Sequence, residues 1–149
     1  MDRFKNILVT ASPGHLQPTT LRAAAELATT NNSHLTILDV VPPLPRFRKT
    51  IEVEGRVIDV EAALLQDRTE RLRQMAAGVP ASENAEVLVK TGEPFVEVIR
   101  HVLANGNDLL MVGCCEIVGG EAPELGSGVM HLLRKCPVPV WVCLLYTSP

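Results

Sequence analysis

The sequence is poor in aromatic residues and has no excess of basic charge. Aromatic side chains make up 3% of its 149 residues, and 14 Lys and Arg stand against 17 Asp and Glu, which gives a net charge of −3. A nucleic-acid-binding surface is usually rich in Lys and Arg, and flat ligand rings are often stacked on aromatic side chains. The composition therefore argues against a nucleic-acid partner and against a flavodoxin-like redox domain.

The cysteines are few and irregularly spaced. No C-x-x-C pair occurs among Cys114, Cys115, Cys136 and Cys143, so neither a zinc site nor a thioredoxin-like centre is predicted. A redox role for Cys114 or Cys115 is an open alternative, although no nearby residue is of a type that would lower a thiol pKa. Free thiols of this kind indicate a reducing compartment.

Long hydrophobic runs are also missing. No segment reaches the ~18 apolar residues of a membrane helix, and the N-terminal stretch MDRFKNILVT has an acidic second residue and too short an apolar run for a signal peptide. A length of 149 residues fits one domain. We therefore expect a single cytoplasmic domain without a membrane partner.

What the sequence does contain is an alternation of short apolar runs with amphipathic stretches. The apolar runs predict strands at 6–10, 34–41, 85–90, 108–113 and 138–142. The amphipathic stretches predict helices that begin after Pro18, cover 59–77, contain Phe95 to Leu103, and begin after the GSG turn at 126–128. The connection 42–58 is predicted to be irregular, with a small hairpin around Gly55.

This alternation predicts an α/β fold, a doubly wound five-stranded parallel sheet of order 3-2-1-4-5 with helices on both faces. In such sheets a ligand binds at the carboxyl ends of the strands, where the strand order reverses. The predicted site is therefore formed by the ends of strands 1, 2 and 4. The candidate residues at these ends are Thr10, Ala11, Ser12, Val40 and Gly113.

The stretch Gly126–Ser127–Gly128 adds a second feature to this edge. A helix that begins directly after a turn of small residues presents free backbone N–H groups and the positive end of its dipole, which suits a phosphate group. A tight turn with no ligand is the alternative.

Three segments resemble the universal stress protein family, and together they cover nearly the whole chain. They are NILVTAS near the start, VKTGEPFVEVIRHV in the middle and VGCCEIVGGEAPELGSGVMHLLRKCPVPVWV at the end. The stretch HLLRKCPVPVW is similar to the first half of tandem two-domain members from proteobacteria. The resemblance implies a stress-response module that binds ATP with Mg²⁺. It also implies pairing through strand 5, either as a homodimer or as a pseudo-dimer with a second tandem domain.

The nucleotide-binding branch of that family carries Gly, two residues, Gly, nine residues, and then Gly-Ser or Gly-Thr. Gly113 fits the first place, and Gly126 with Ser127 fits the last, but Glu116 replaces the second glycine. By the same resemblance the backbone of Val40 reads the base. Ser12 stands where nucleotide binders usually have an aspartate that contacts the nucleoside.

The charge of this segment opposes a phosphate ligand. Glu116, Glu121 and Glu124 are its charged residues, and it contains no lysine or arginine. At ~8 Å and a dielectric constant of ~40 each carboxylate would destabilise a bound phosphate charge by about 1 kcal/mol. A helix N-terminus would stabilise it by only roughly 0.3–1 kcal/mol. A bound Mg²⁺ would reverse the balance, because carboxylate oxygens are good ligands for it.

No Ser-His-Asp arrangement, metal-binding motif or paired acid and base points to an enzyme. The leading interpretation is a nucleotide-binding and dimerising module without strong catalytic activity. The alternative is a protein-interaction half-domain that has lost the nucleotide site.

The end of the chain is unusual for this fold. Residues 1–143 are expected to form the domain, and the stretch LLYTSP at 144–149 is expected to be a non-native or truncated tail. A second, similar domain is expected to follow in the full protein.

Overall fold

Five parallel strands form the central sheet of the computed structural model, which describes residues 3–10, 16–118 and 127–147. The strands of the central sheet are β1 Asn6–Thr10, β2 His34–Val41, β5 Glu86–Thr91, β6 Leu109–Val118 and β7 Val140–Thr147. Two further strands, β3 Thr50–Val53 and β4 Arg56–Asp59, form a separate two-stranded sheet. The helices are α1 Pro18–Asn31, α2 Val60–Gly78, α3 Pro94–Asn105 and α4 Ser127–Lys135. The central sheet has the order β5-β2-β1-β6-β7, which confirms the predicted 3-2-1-4-5 order.

Local sequence signals explain where two of the helices begin and end. Both α1 and α3 have proline in the first turn, where the missing N–H costs no helical hydrogen bond. Asn32 and Gly106 end them in the left-handed conformation, with φ of 53° and 65°, as helix C-terminal residues often do. The third predicted helix, which contains Phe95 to Leu103, is confirmed as α3.

The sheet is covered on both faces, as the strand and helix alternation predicts. The cluster against α1 and α2 contains Ile7, Val9, Leu21, Ala24, Ala25, Ile37, Leu72, Ala76, Leu109 and Met111. The cluster against α3 and α4 contains Leu8, Leu38, Val40, Val98, Val102, Leu110, Val112, Val129 and Leu132. Alternate residues of each strand therefore enter opposite cores.

The strand β1 lies at the centre of the sheet, paired with β2 on one side and β6 on the other. Side chains from other elements fix the backbone just before it. The Asn31 side-chain oxygen accepts hydrogen bonds from the N–H groups of Arg3 and Phe4 at 2.8 and 3.2 Å. The Asp108 carboxylate accepts those of Lys5 and Asn6 at 2.7 and 3.0 Å.

The connection after β2 contains the predicted hairpin. A 3₁₀ turn at Arg46–Arg48 leads into β3, which pairs antiparallel with β4. Glu54 and Gly55 join the two strands with φ of 52° and 79°, as in the two-residue turns that match the twist of a hairpin.

Two strand boundaries differ from the sequence prediction. β6 continues to Val118 rather than ending at Gly113, and β7 runs from Val140 to Thr147 rather than over 138–142. The two extensions pair with each other beyond a register shift between Gly113 and Glu116. In the part of the chain that the structure describes, no helix is both long and apolar enough to cross a membrane.

Candidate functional site

The carboxyl ends of β1, β2 and β6 lie side by side at one edge of the sheet. Thr10, the last residue of β1, is in register with Leu38 of β2 and with Val112 of β6. Val40 lies two residues beyond Leu38, and Gly113 one residue beyond Val112. The order reverses between β1 and β6, so this is the position where a doubly wound sheet offers a ligand site.

Burial limits how two of the predicted residues can act. Thr10 is 2% exposed and Val40 is 4% exposed, and the Val40 side chain belongs to the core beneath α3 and α4. A ligand at the strand ends can therefore contact Val40 through backbone atoms but not through its side chain. Recognition of a ligand at Val40 would therefore depend on its backbone N–H and C=O groups.

At Gly113 the backbone of β6 comes close to helix α1. A Cβ atom built on Gly113 would lie 3.0 Å from the Thr20 hydroxyl oxygen, closer than a side-chain carbon is usually accommodated without movement. Thr20 belongs to the first turn of α1 and is 1% exposed, and its hydroxyl oxygen has no hydrogen-bond partner in the described structure. The sequence pattern identified Gly113, whereas Thr20 carried no recognisable motif.

The other predicted residues are placed only in part. Ala11, Ser12 and Gly126 lie outside the described residues, as do Glu121 and Glu124. Ser127 and Gly128 are the first two residues of α4, so the helix begins within the GSG stretch and not after it as predicted. Glu116 is part of β6, opposite Leu145 of β7. The sequence predicted that this strand ends at Gly113, so Glu116 was expected in the loop that follows.

A buried ion pair lies next to this edge, and the sequence reasoning did not find it. Asp39 is 3% exposed, and its carboxylate lies 3.3 Å from the Arg68 guanidinium of α2. Because side chains alternate along a strand, Asp39 faces the core opposite to that of its neighbour Val40. The ion pair connects the middle of α2 to the end of β2, and it is not part of the predicted ligand site.

The described thiols are poorly suited to redox chemistry. Burial raises the pKa of Cys136, against a smaller lowering effect of a hydrogen bond with the Val138 backbone. Burial also raises the pKa of Cys143. Thiols with raised pKa values form little of the reactive thiolate. Within the described residues, His, Cys, Asp and Glu form no group of three or more that could hold a metal ion.

Comparison with known proteins shows to which family the chain belongs. The sequence model of the universal stress protein family matches residues 3–143. This chain belongs to that family.

The curated relatives that this chain matches are about twice as long as the chain. Universal stress protein E of Salmonella typhi is 26% identical over 147 residues, which are 95% of this chain and 46% of the relative. The same protein of Escherichia coli K12 is 25% identical over 147 residues, with the same shares. The chain therefore spans about half the length of the curated relatives it matches.

Solved family structures share the fold. The UspA protein of Lactobacillus plantarum has a TM-score of 0.68 and 21% identity, over 95% of this chain and 98% of its own. The Archaeoglobus fulgidus universal stress protein in complex with dAMP has a TM-score of 0.60 and 15% identity, over 95% and 98%. A universal stress protein in complex with cAMP has a TM-score of 0.60 and 16% identity, over 95% and 97%.

Proposed function

We propose that this chain binds an adenine nucleotide at the carboxyl ends of β1, β2 and β6 and acts as a cytoplasmic stress-response module. The observation that carries the proposal is Gly113. It lies where the strand order reverses, at a point where a Cβ atom would meet Thr20 at 3.0 Å. The dAMP and cAMP complexes of two structural relatives support an adenine nucleotide as the ligand class.

Each part of the nucleotide has a place in this proposal. The backbone of Val40 contacts the base, because the Val40 side chain is buried. Residues after β1 contact the nucleoside, and the backbone amides at the start of α4 hold the phosphates. The residues assigned to these roles are Thr10, Ala11, Ser12, Val40, Gly113, Gly126, Ser127 and Gly128.

The charge of the segment makes us propose Mg²⁺-dependent binding of ATP. Residues 113–128 contain Glu116, Glu121 and Glu124 and no lysine or arginine. ATP carries more negative charge than a nucleoside monophosphate, so it is repelled more strongly unless a metal ion neutralises the phosphates. Without Mg²⁺ a monophosphate should therefore bind better than ATP.

Calorimetry with ATP, with and without Mg²⁺, tests the proposal. We expect weak binding of ATP by the wild type that requires Mg²⁺. Without Mg²⁺, Glu116→Gly should bind ATP about fivefold more tightly than the wild type, because one carboxylate is worth roughly 1 kcal/mol at this range. Gly126→Val should abolish binding by blocking close approach of the backbone. Gly113→Val should weaken it by displacing Thr20.

A matched glycine variant separates site effects from general ones. A Cβ atom on Gly78 would meet nothing within 4 Å, so Gly78→Ala should leave ATP binding unchanged. Absence of binding by the wild type at millimolar ATP, with no gain from Glu116→Gly, would eliminate the nucleotide site.

A protein-interaction half-domain is the second candidate, and the position of Glu116 favours it. Where the binding branch of the family has a glycine, this chain has Glu116 within β6, paired with Leu145 of β7. Ordered strand pairing at that point would take the place of a phosphate-binding loop. In this case the chain would act through its surfaces rather than through catalysis or a bound nucleotide.

A further inference from the structure

Exposed apolar side chains are concentrated in one short segment. Eight large apolar residues are exposed among those the structure describes, and five of them lie between positions 47 and 58. They are Phe47 at 78%, Ile51 at 49%, Val53 at 45%, Val57 at 74% and Ile58 at 38% exposure. Scattered exposed apolar residues are normal, but a cluster of this kind usually marks an interaction site.

The β3–β4 pairing gives this cluster a definite shape. Ile51 lies opposite Ile58, and Val53 lies opposite Arg56. Residues that face each other across an antiparallel pair project from the same face. One face of the hairpin therefore carries three aliphatic side chains together with the Arg56 guanidinium. Val57 projects from the other face, beside Glu52.

Basic residues flank the apolar cluster. Arg46, Arg48 and Lys49 fall within four residues of the chain, and all three are exposed. The Arg48 guanidinium lies 5.5 Å from the centre of the Phe47 ring, which keeps that ring beside a positive charge. A partner for this surface should therefore combine acidic with apolar groups.

The hairpin also offers a strand edge. Within the described residues its sheet contains only β3 and β4, so no further strand pairs with the outer edge of β4. The base is fixed, because the Val60 N–H donates to the Lys49 carbonyl at 2.7 Å and because Asp59, the last residue of β4, directly precedes α2. A fixed base with an open edge is suited to adding an extended peptide as a third strand.

We propose that the 3₁₀ turn and the β3–β4 hairpin form a docking surface for an extended segment of a partner protein that carries both acidic and apolar residues. The partner backbone pairs with β4, its acidic side chains meet the basic residues, and its apolar side chains cover the exposed cluster. Glu54 at the hairpin tip and Glu52 disfavour an anionic membrane or a nucleic acid as the occupant, since either would be repelled there.

This surface shares no assigned residue with the nucleotide site, and it lies away from the β7 edge. The hairpin leaves the sheet after β2, and β2 lies three strand positions from β7, or about 14 Å at the usual strand spacing. Failure of nucleotide binding or of pairing through β7 would therefore leave this proposal standing, and the reverse also holds.

Selection from a random peptide library displayed on phage tests the proposal with the full chain as bait. Enriched peptides should contain Asp or Glu together with apolar residues. Synthetic copies of them should bind the wild type at least about tenfold more tightly than they bind Phe47→Ser or Val57→Ser. Arg48→Glu should weaken binding, and added salt should do the same.

Leu103→Ser is the matched control, because Leu103 is 68% exposed on α3, outside the hairpin. It should bind the selected peptides as the wild type does, and all variants should keep the wild-type circular dichroism spectrum. Three results would overturn the proposal: no enrichment that depends on Phe47 and Val57, enrichment of basic peptides, or loss of self-association in the hairpin variants without an effect on peptide binding. Binding to vesicles rich in phosphatidylglycerol in place of peptides would overturn it as well.

Discussion

His101 is a buried histidine whose pKa is lowered by the fold. It is 4% exposed, and its Nδ1 lies 3.0 Å from the Asn107 side-chain oxygen. The Asn107 amide nitrogen donates to the Asn6 side-chain oxygen at 2.9 Å, which leaves the Asn107 oxygen as the acceptor for a proton on Nδ1. Burial lowers the pKa of His101 from 6.5, and the Lys90 charge adds to this, while Asn107 and Glu86 oppose it.

This lowered pKa predicts a loss of stability in acid. A histidine whose pKa is lower in the folded than in the unfolded state binds its proton more readily after unfolding. Its stabilising effect is therefore full above the unfolded pKa of 6.5 and is lost as the pH falls below that value. Urea titrations from about pH 7.5 to about pH 5.5 should show that the free energy of unfolding becomes smaller as the pH falls.

The variant His101→Gln should reduce that pH dependence, because glutamine cannot titrate. It should also cost about 1–3 kcal/mol at neutral pH if the Asn107 oxygen loses its partner. An unchanged slope in His101→Gln would contradict the assignment.

Single residues also show how far the sequence predicts the site. Gly113 was found because it follows the fourth predicted strand and fits the first glycine of the family pattern. Thr20, Asp39 and Arg68 were not found, since their roles depend on contacts between elements that are distant in the chain. The family pattern names positions, but it does not show which side chains surround them.

The helix α2 offers a prediction at the level of a single element. Asp59 precedes its first turn, and its carboxylate accepts a hydrogen bond from the Ala62 N–H at 3.0 Å. Asp59→Ala should lower the free energy of unfolding by about 1 kcal/mol, whereas Asp59→Ser should restore most of it. Equal stability of the alanine variant and the wild type in urea would show that the cap contributes nothing.

At the same level, the strands and helices were predicted well except where two distant segments stabilise each other. β1 and β2 were predicted with the bounds that the structure shows, because continuous apolar runs end there at turn residues. The outer halves of β6 and β7 were missed. Among the described residues each extension is paired only with the other, so neither segment alone carries a sufficient signal.

For the whole molecule, the proposed pairing through β7 is the main prediction. β7 is an edge strand of the five-stranded sheet, and Trp141 on it is 44% exposed and packs edge-on against Phe4 at 5.5 Å. An open edge with an exposed indole is a common place for association. We expect a dimer in sedimentation at tens of micromolar, and mainly monomer after Trp141→Lys.

Leu103→Lys is the control for that experiment, because it places the same charge on an exposed apolar position of α3. It should leave the dimer intact. Sedimentation as a monomer by the wild type, unaffected by Trp141→Lys, would rule out pairing through this strand.

The central position of β1 has a consequence for how the chain reaches this fold. Its neighbour β6 lies far along the sequence, with Ile7 opposite Leu109. Closing so long a loop delays the contact, so folding should be slow for a chain of this length. Until β6 arrives, one side of β1 is an unpaired apolar edge. A chaperone that holds this edge would therefore help the chain most during synthesis and refolding.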